Sequence, residues 1–376
     1  MVVTEVLGKV VRPQRKWLAV AQVARRLLWP EVAIDLGTSN TLISIVGNGV
    51  VLNEPSAVAV SAVTGKIVAV GHDAKRLIGR TPRNVRAFYP LSDGVIADLD
   101  ATQGMLTHFI GKALGGKSVL KPRVAIAVPS QATEVELRAV EDAIWRVGAR
   151  SVLLVEEPLA AALGAHLPVD KPHGQMIIDV GAGTTDIAVI SLSGFIYSHT
   201  LRVAGNEMDE AIIAEVKRTH GLIIGPQMAE RIKIQLGCAV PPTERSIMEV
   251  KGRDLVSGLP RVIELSNAEV YEAIQPLVAQ IAGATRKALE ILPPEIAADL
   301  IDTGITLVGG GSQLRGFSQL LQQTTELPVT LGEDPLLAVV LGVERMLETG
   351  GGFVAGSKEL QPRLTKRLKW IFSGIR

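Results

Sequence analysis

At 376 residues the chain exceeds the size at which one core stops growing, so two or more domains are expected. Hydrophobic residues make up 47% of it and aromatics only 3%, which implies an aliphatic core; the single cysteine, Cys238, excludes an internal disulfide framework and fits a reducing compartment. A net charge of +1 hides two basic ends, residues 1–30 and 358–376, around an acidic body, which argues against nucleic acid as the partner of the core.

The histidines are scattered and form no HExxH or Cys/His spacing, so a zinc centre is not expected. No run of eighteen apolar residues exists to span a bilayer. Trp17–Ala24 is too short for a secretory core, contains Gln22, and runs into Arg25-Arg26.

In chain order, Val32–Leu36 and Thr41–Val46 alternate as strands around the turn IDLGTSNT, and Gly47-Asn48-Gly49 makes a hairpin into Val50–Asn53. Val124–Val128 reads as a buried strand. Thr133-Glu-Val-Glu136 is a capping box before a helix with Leu137, Val140, Ile144 and Val147 on one face, stopped at Gly148. A strand at Val152–Val155 and a helix at Leu159–Leu167 follow. The first plan then repeats: strand 175–180, the turn IDVGAGTTD, strand 185–191, a turn at Ser193-Gly194, and strand 195–203. Residues 207–250 read as alternating helical stretches, Leu277–Leu292 as a helix, and Ile305–Val308 as a short strand ending in Gly309-Gly310-Gly311. Two repeated halves of mixed strands and helices describe an α/β protein with two lobes.

Which glycine loop holds an anion is a question of context. Gly111–Ser118 satisfies G-x-x-x-x-G-K-[ST], but helical residues precede it and Pro122 follows, so the strand and helix a P-loop requires are missing. The repeated turns fit better: a strand ending in Asp-x-Gly and small residues exposes successive backbone N–H groups to a phosphate. Asp35 and Asp179 sit at strand ends and suit a shared magnesium ion, which prefers carboxylate and phosphate oxygens and retains waters. The bland alternative is two ordinary hairpin turns. At Gly309–Gly311 the glycines suit a flat ring or ribose lying on backbone, or merely a flexible loop.

Asp-Leu-Gly-Thr, Asp-Val-Gly-Ala-Gly-Thr-Thr and Gly-Gly-Gly-Ser occur in the order of the two phosphate motifs and the adenosine motif of the actin-like ATPases. The stretches Val51–Ser56, Asp93–Asp98, Lys121–Arg123, Glu156–Ala162, Glu230–Ile234 and Glu333–Pro335 narrow this to a resemblance to the MreB family of bacterial actin homologues, over about residues 31–350. The resemblance implies an actin-like ATPase fold of two lobes, each with a duplicated β-meander/α core, and a nucleotide cleft between them. It implies a large subdomain from 31–58, 92–168 and 339–356, with a small one at 59–91. The second lobe has a large subdomain from 169–206 and 269–338 and a small one at 207–268. Basic amphipathic segments flank these at 1–30 and 357–376.

Carried over by resemblance, Asp35, Gly37, Thr38, Ser39 and Asn40 form the first phosphate loop, and Asp179, Gly181, Gly183, Thr184 and Thr185 the second. Asp35 and Asp179 hold Mg²⁺ largely through water. Glu230 and Lys233 match contacts to ribose and adenine, and Gly309, Gly310 and Gly311 pack on the adenosine of ATP. Glu157 matches the residue that orients the attacking water, with Asp186 assisting; alternatively Glu157 only caps the following helix. The chain departs from the family's usual text at Ser130-Gln131-Ala132.

The expected function is therefore that of an ATP-hydrolysing protein polymerising with itself into cytoskeletal filaments. These would lie on the inner face of the cell membrane, in the cytoplasm, beside the cell-wall elongation machinery. The alternative is a soluble small-molecule kinase of the same superfamily. Both ends suit an anionic membrane surface: Leu360, Leu364, Leu368, Phe372 and Ile375 recur at helical steps beside Arg363, Lys366, Arg367 and Lys369. Trp17, Val20, Ala24, Leu27 and Leu28 do the same at the head, and Val119-Leu120 matches an apolar membrane-touching loop of the family. The other reading is that both ends dock on protein.

Overall fold

The computed structural model describes residues 30–116 and 121–349, and the backbone of 357–360. Trp17, Leu27, Leu28, Val119, Leu120, Leu364, Leu368 and Phe372, the expected membrane contacts, lie outside the described residues.

The first lobe opens with the meander β1 (Glu31–Leu36), β2 (Asn40–Ile45) and β3 (Gly49–Pro55). A small three-stranded sheet follows, β4 (Val58–Ser61), β5 (Ile67–Val70) and β6 (Val85–Phe88), with helix α1 (His72–Leu77) between the last two. The ribbon β7 (Leu91–Ser92) and β8 (Val95–Ile96) leads to α2 (Leu99–Ala113). Then come β9 (Arg123–Val128), α3 (Glu134–Val147), β10 (Ser151–Glu156) and α4 (Glu157–Gly164).

The second lobe repeats the plan. Its meander is β11 (Gln175–Val180), β12 (Thr185–Ser191) and β13 (Gly194–Leu201). Helices α5 (Gly205–His220) and α6 (Pro226–Leu236) surround the small sheet of β14 (Leu222–Ile223), β15 (Ile247–Asp254) and β16 (Pro260–Ser266). Helices α7 (Asn267–Glu290) and α8 (Pro294–Thr303) lead to β17 (Ile305–Val308), α9 (Phe317–Thr325) and β18 (Val329–Leu331). Helix α10 (Ala338–Glu348) and strand β19 (Ser357–Leu360) complete the description.

The duplication is exact in strand order. One sheet runs β3-β2-β1-β9-β10, extended by β19, and the other β13-β12-β11-β17-β18. In each, the strand that opens the meander pairs antiparallel with its neighbour and parallel with a later strand, β1 with β9 and β11 with β17. Strands β9, β11 and β12 are buried along their whole length, as their unbroken apolar runs require when both faces are covered.

Helices α4 and α10 lie between the two sheets. Their apolar side chains share one core with Ala33 and Leu42 of the first lobe and with Ile177, Ala188 and Val308 of the second. The two helices approach to backbone contact: a Cβ on Gly164 would overlap the Ala338 carbonyl, and one on Gly342 the Ala160 carbonyl. Glu344 of α10 is buried and accepts the Ser44 hydroxyl and, at 3.4 Å, the Gly47 N–H, clipping the helix to the first hairpin. Separate apolar cores fill the outer faces of the lobes.

Several expectations hold. The Thr133–Glu136 capping box forms, and Gly148 ends α3 in the left-handed region at φ 95°. Gly111–Ala113 is the last turn of α2 and no strand precedes it, so the P-loop match is a coincidence.

Others need correction. The second hairpin turns on Leu192-Ser193, both at positive φ, and Gly194 already pairs with Ser191. Helix α4 starts at Glu157 rather than Leu159, because Pro158 belongs to its first turn. Helix α7 begins ten residues before Leu277, at a Ser266/Glu269 capping box, and runs through Pro276 on its exposed side. Residues 247–250, expected helical, open the hairpin β15–β16, whose pairing decides what its mixed pattern does not. Finally, 357–360 is a strand paired antiparallel with β10, Val152 opposite Leu360, so Leu360 belongs to the sheet and not to a helical tail.

Candidate functional site

Asp35 and Asp179 are each the penultimate residue of the strand that opens a meander. Each strand ends there because a Gly turn follows, and the turns of the two lobes meet. A Cβ on Gly183 would lie 2.9 Å from both the Thr38 hydroxyl oxygen and the Asp93 Cα. The first turn is braced from behind: the Ser56 hydroxyl donates to the Gly37 carbonyl at 2.6 Å, and the Gly94 N–H to the Thr38 hydroxyl at 3.0 Å. In the second, the Gly181 N–H bonds the Thr184 carbonyl at 2.9 Å, and the Asn206 N–H at the start of α5 bonds the Ala182 carbonyl at 2.7 Å.

Four carboxylates converge behind these turns. Asp186 lies directly across the β11–β12 ladder from Asp179 and is 2% exposed. Glu157 enters from the first turn of α4 and Asp35 from β1. Burial pushes Asp35 up to about 7 and Asp186 up to about 6, although hydroxyls of Thr200 and Thr184 hold the latter down. Glu157 is raised well above the carboxylate range by burial and then by Asp186, Asp35 and Asp179. Asp179 is raised by burial, then by Asp186 and Asp35. No basic side chain among the described residues offsets this charge. Among those residues, no three His, Cys, Asp or Glu side chains converge closely enough to hold an ion directly. A carboxylate set of this kind suits a hard divalent cation that keeps its waters.

The third glycine loop reaches the same place. Gly309, at φ 81°, lies against the end of β11, where a Cβ would overlap the Asp179 carboxylate, and Gly311 likewise abuts Val180. Packing on β11 therefore demands glycine at these two positions, whereas Gly310 faces Leu336.

Glu230 and Lys233, one turn apart on α6, do not pair with each other. Lys233 donates to the Gly205 carbonyl at 2.6 Å and pairs with Asp209 at 3.0 Å. Glu230 pairs with Lys75 of α1 at 2.8 Å, and the Gln227 amide donates to the Lys75 carbonyl at 2.6 Å, so α1 and α6 touch across the two halves of the chain. Thr185 is fully buried and its hydroxyl is spent on the Val203 carbonyl, so its place is in the sheet rather than in the loop.

Sequence reasoning missed Lys75, Asp209 and Thr200. None belongs to a motif; each meets its partner across the fold. A cavity of about 110 Å³ borders the second turn, lined among others by Asp93, Pro129, Gln131, Thr184, Thr200 and Arg202.

Two repeated sheets sharing their central helices, with paired Asp-x-Gly turns facing across a carboxylate-lined cleft, define an actin-like protein. Residues 30–352 match the MreB/Mbl protein family, and the chain belongs to it. It is 47% identical over 324 residues to the cell shape-determining protein MreB of Escherichia coli K12, covering 85% of this chain and 93% of that one. Among solved structures it resembles MreB5 of Spiroplasma citri bound to AMPPNP, at 35% identity and a TM-score of 0.81, covering 86% of this chain and 97% of that one. It also resembles MamK in a double helical filament, at 25% identity and a TM-score of 0.72, covering 85% and 98%.

Proposed function

We propose that this chain binds Mg-ATP between its lobes, hydrolyses it slowly, and assembles with itself into filaments lying on the cytoplasmic face of the cell membrane. The observation that carries the reading is the convergence of both Asp-x-Gly turns on one buried set of four uncompensated carboxylates. Such a set is stable in ionised form when a divalent cation sits beside it, and Asp35 and Asp179 would hold that cation through water. When bound, the ion neutralises charge on the phosphate oxygens.

The backbone N–H groups of the two turns grip the phosphates. Glu157, raised well above the carboxylate range by burial and then by Asp186, Asp35 and Asp179, is the base that orients and deprotonates the attacking water, with Asp186 of β12 assisting. Because a Lys75 partner already holds Glu230, a ribose contact there would compete with that ion pair. Self-assembly is supported by the filament formed by MamK, and nucleotide binding by the AMPPNP bound to MreB5. The name of the Escherichia coli relative supports a role in cell shape, with cell-wall elongation proteins as partners.

Pelleting and phosphate release with Mg-ATP test this reading together. Full-length protein should pellet above a critical concentration and release phosphate only when magnesium is present. A protein that stayed in the supernatant and phosphorylated a small hydroxyl compound would be the soluble kinase instead.

A further inference from the structure

Each side-chain hydroxyl carries a single proton, so a row of them ending on a carboxylate has a forced direction. Such a row crosses the interlobe gap here. Thr200 of β13 gives its proton to Asp186 Oδ1 at 2.5 Å. Its oxygen can then only accept, and the Ser130 hydroxyl lies 3.5 Å away. Ser130 in turn accepts from the Ser198 hydroxyl at 2.8 Å. The protons therefore run Ser198 to Ser130 to Thr200 to Asp186. Ser130 belongs to the loop after β9 in the first lobe; Thr200, Ser198 and Asp186 belong to the second. The Gln131 amide seals the same seam by donating to the Ser198 carbonyl at 3.5 Å.

The weakest step is the one that spans the lobes. At 3.5 Å the Ser130–Thr200 contact is at the limit of a hydrogen bond, so a small closure strengthens it and an opening of about an ångström removes it. Bonds in such a chain polarise one another, so that step is felt at the carboxylate.

We infer that Thr200 is a positioning residue for ATP hydrolysis, holding Asp186 in place, and that Ser130 makes its grip depend on how closely the lobes approach. This rests on the ATPase reading proposed above. No motif carries these residues; they are adjacent only because β13 lies beside β12 and the loop after β9 faces it.

Steady-state hydrolysis of Mg-ATP by the full chain, with ADP affinity measured in parallel, tests the inference. Replacing a hydrogen bond to a charged group costs about ten- to a hundredfold, so Thr200→Val, which keeps the shape, should lower kcat by that factor. KM and ADP affinity should stay within about twofold, since the lost bond is not to the nucleotide. Thr200→Ser, which keeps the hydroxyl, should return kcat to within about threefold of the unaltered chain. Ser130→Ala should lower kcat about two- to fivefold alone and add nothing to Thr200→Val, because the step it serves is already gone.

A normal kcat in Thr200→Val overturns the inference. So does a matching loss of ADP affinity, or a Thr200→Ser protein as impaired as Thr200→Val. Additive losses in the Ser130→Ala, Thr200→Val pair overturn the coupling between lobes. If the unaltered chain releases no phosphate, the proposed function fails instead.

Discussion

Four carboxylates in one buried patch repel each other, and the sign of that repulsion fixes a pH dependence. Burial pushes Asp35 up to about 7 and Asp186 up to about 6 in the folded protein, against 3.8 for a free aspartate. Raised values mean that the folded state binds extra protons, so these groups favour folding at low pH and lose that contribution as pH rises through 6 to 7. Glu54 and Glu269 are shifted down, but their contribution is already complete above pH 5 and does not change in this window. Nucleotide-free protein should therefore melt several degrees higher at pH 6 than at pH 8, and added magnesium should shrink the gap. A melting temperature that is flat, or higher at pH 8 without metal, would remove the uncompensated cluster from the account. At the same scale, Glu157→Gln should bind ATP and assemble but release phosphate about 10²–10⁴-fold more slowly, as for loss of a positioned base. Normal phosphate release would leave Glu157 as the first residue of α4 and nothing more. Asp35, Asp179 and Glu157 are readable from sequence because each sits in a motif. The spent hydroxyl of Thr185 is not, because its partner Val203 lies eighteen residues on, in the segment between β13 and α5.

At the scale of elements, α4 is the part that brings Glu157 to the cleft, and its position depends on α10. The paired glycines Gly164 and Gly342 allow the two backbones to touch. Gly342→Ala inserts a methyl where the Ala160 carbonyl stands, and such overpacking costs about 1–3 kcal/mol. The expected result is a melting temperature lower by a few degrees and slower phosphate release, both checked on the same sample. An unchanged melting temperature would show that the helices can part without cost. Helix periodicity announces α3 and its caps, yet it starts α7 ten residues too late. A proline on an exposed face looks like a boundary until the buried stripe Val270, Ile274, Val278 and Ile281 shows the helix passing it.

At the scale of the whole molecule, the proposed function turns on assembly and on membrane attachment. No helix among the described residues is long and apolar enough to cross a bilayer. Membrane attachment is proposed for the basic amphipathic ends, where each basic residue near an anionic surface contributes about 1 kcal/mol. Because 357–360 belongs to the large sheet, a truncation that tests this must keep it. The full chain should co-sediment with anionic vesicles and less with neutral ones or at high salt, whereas a chain of residues 30–360 should sediment much less. Equal sedimentation of both would place the contact on the body of the protein.

Local pattern was enough for the fold class, the duplicated meander and the three glycine turns, because strand alternation, Asp-x-Gly turns and capping boxes act within about ten residues. The sequence alone also showed that the ends differ in charge from the body. What it left open was which carboxylates face each other, which glycines serve packing rather than a ligand, and which hydroxyls are already occupied. Those depend on contacts between residues apart in the chain, such as Thr200 with Asp186 and with Ser130, or Glu230 with Lys75. Burial and distance set the energy of each such contact, and both come into being only when the two lobes close on the shared helices α4 and α10.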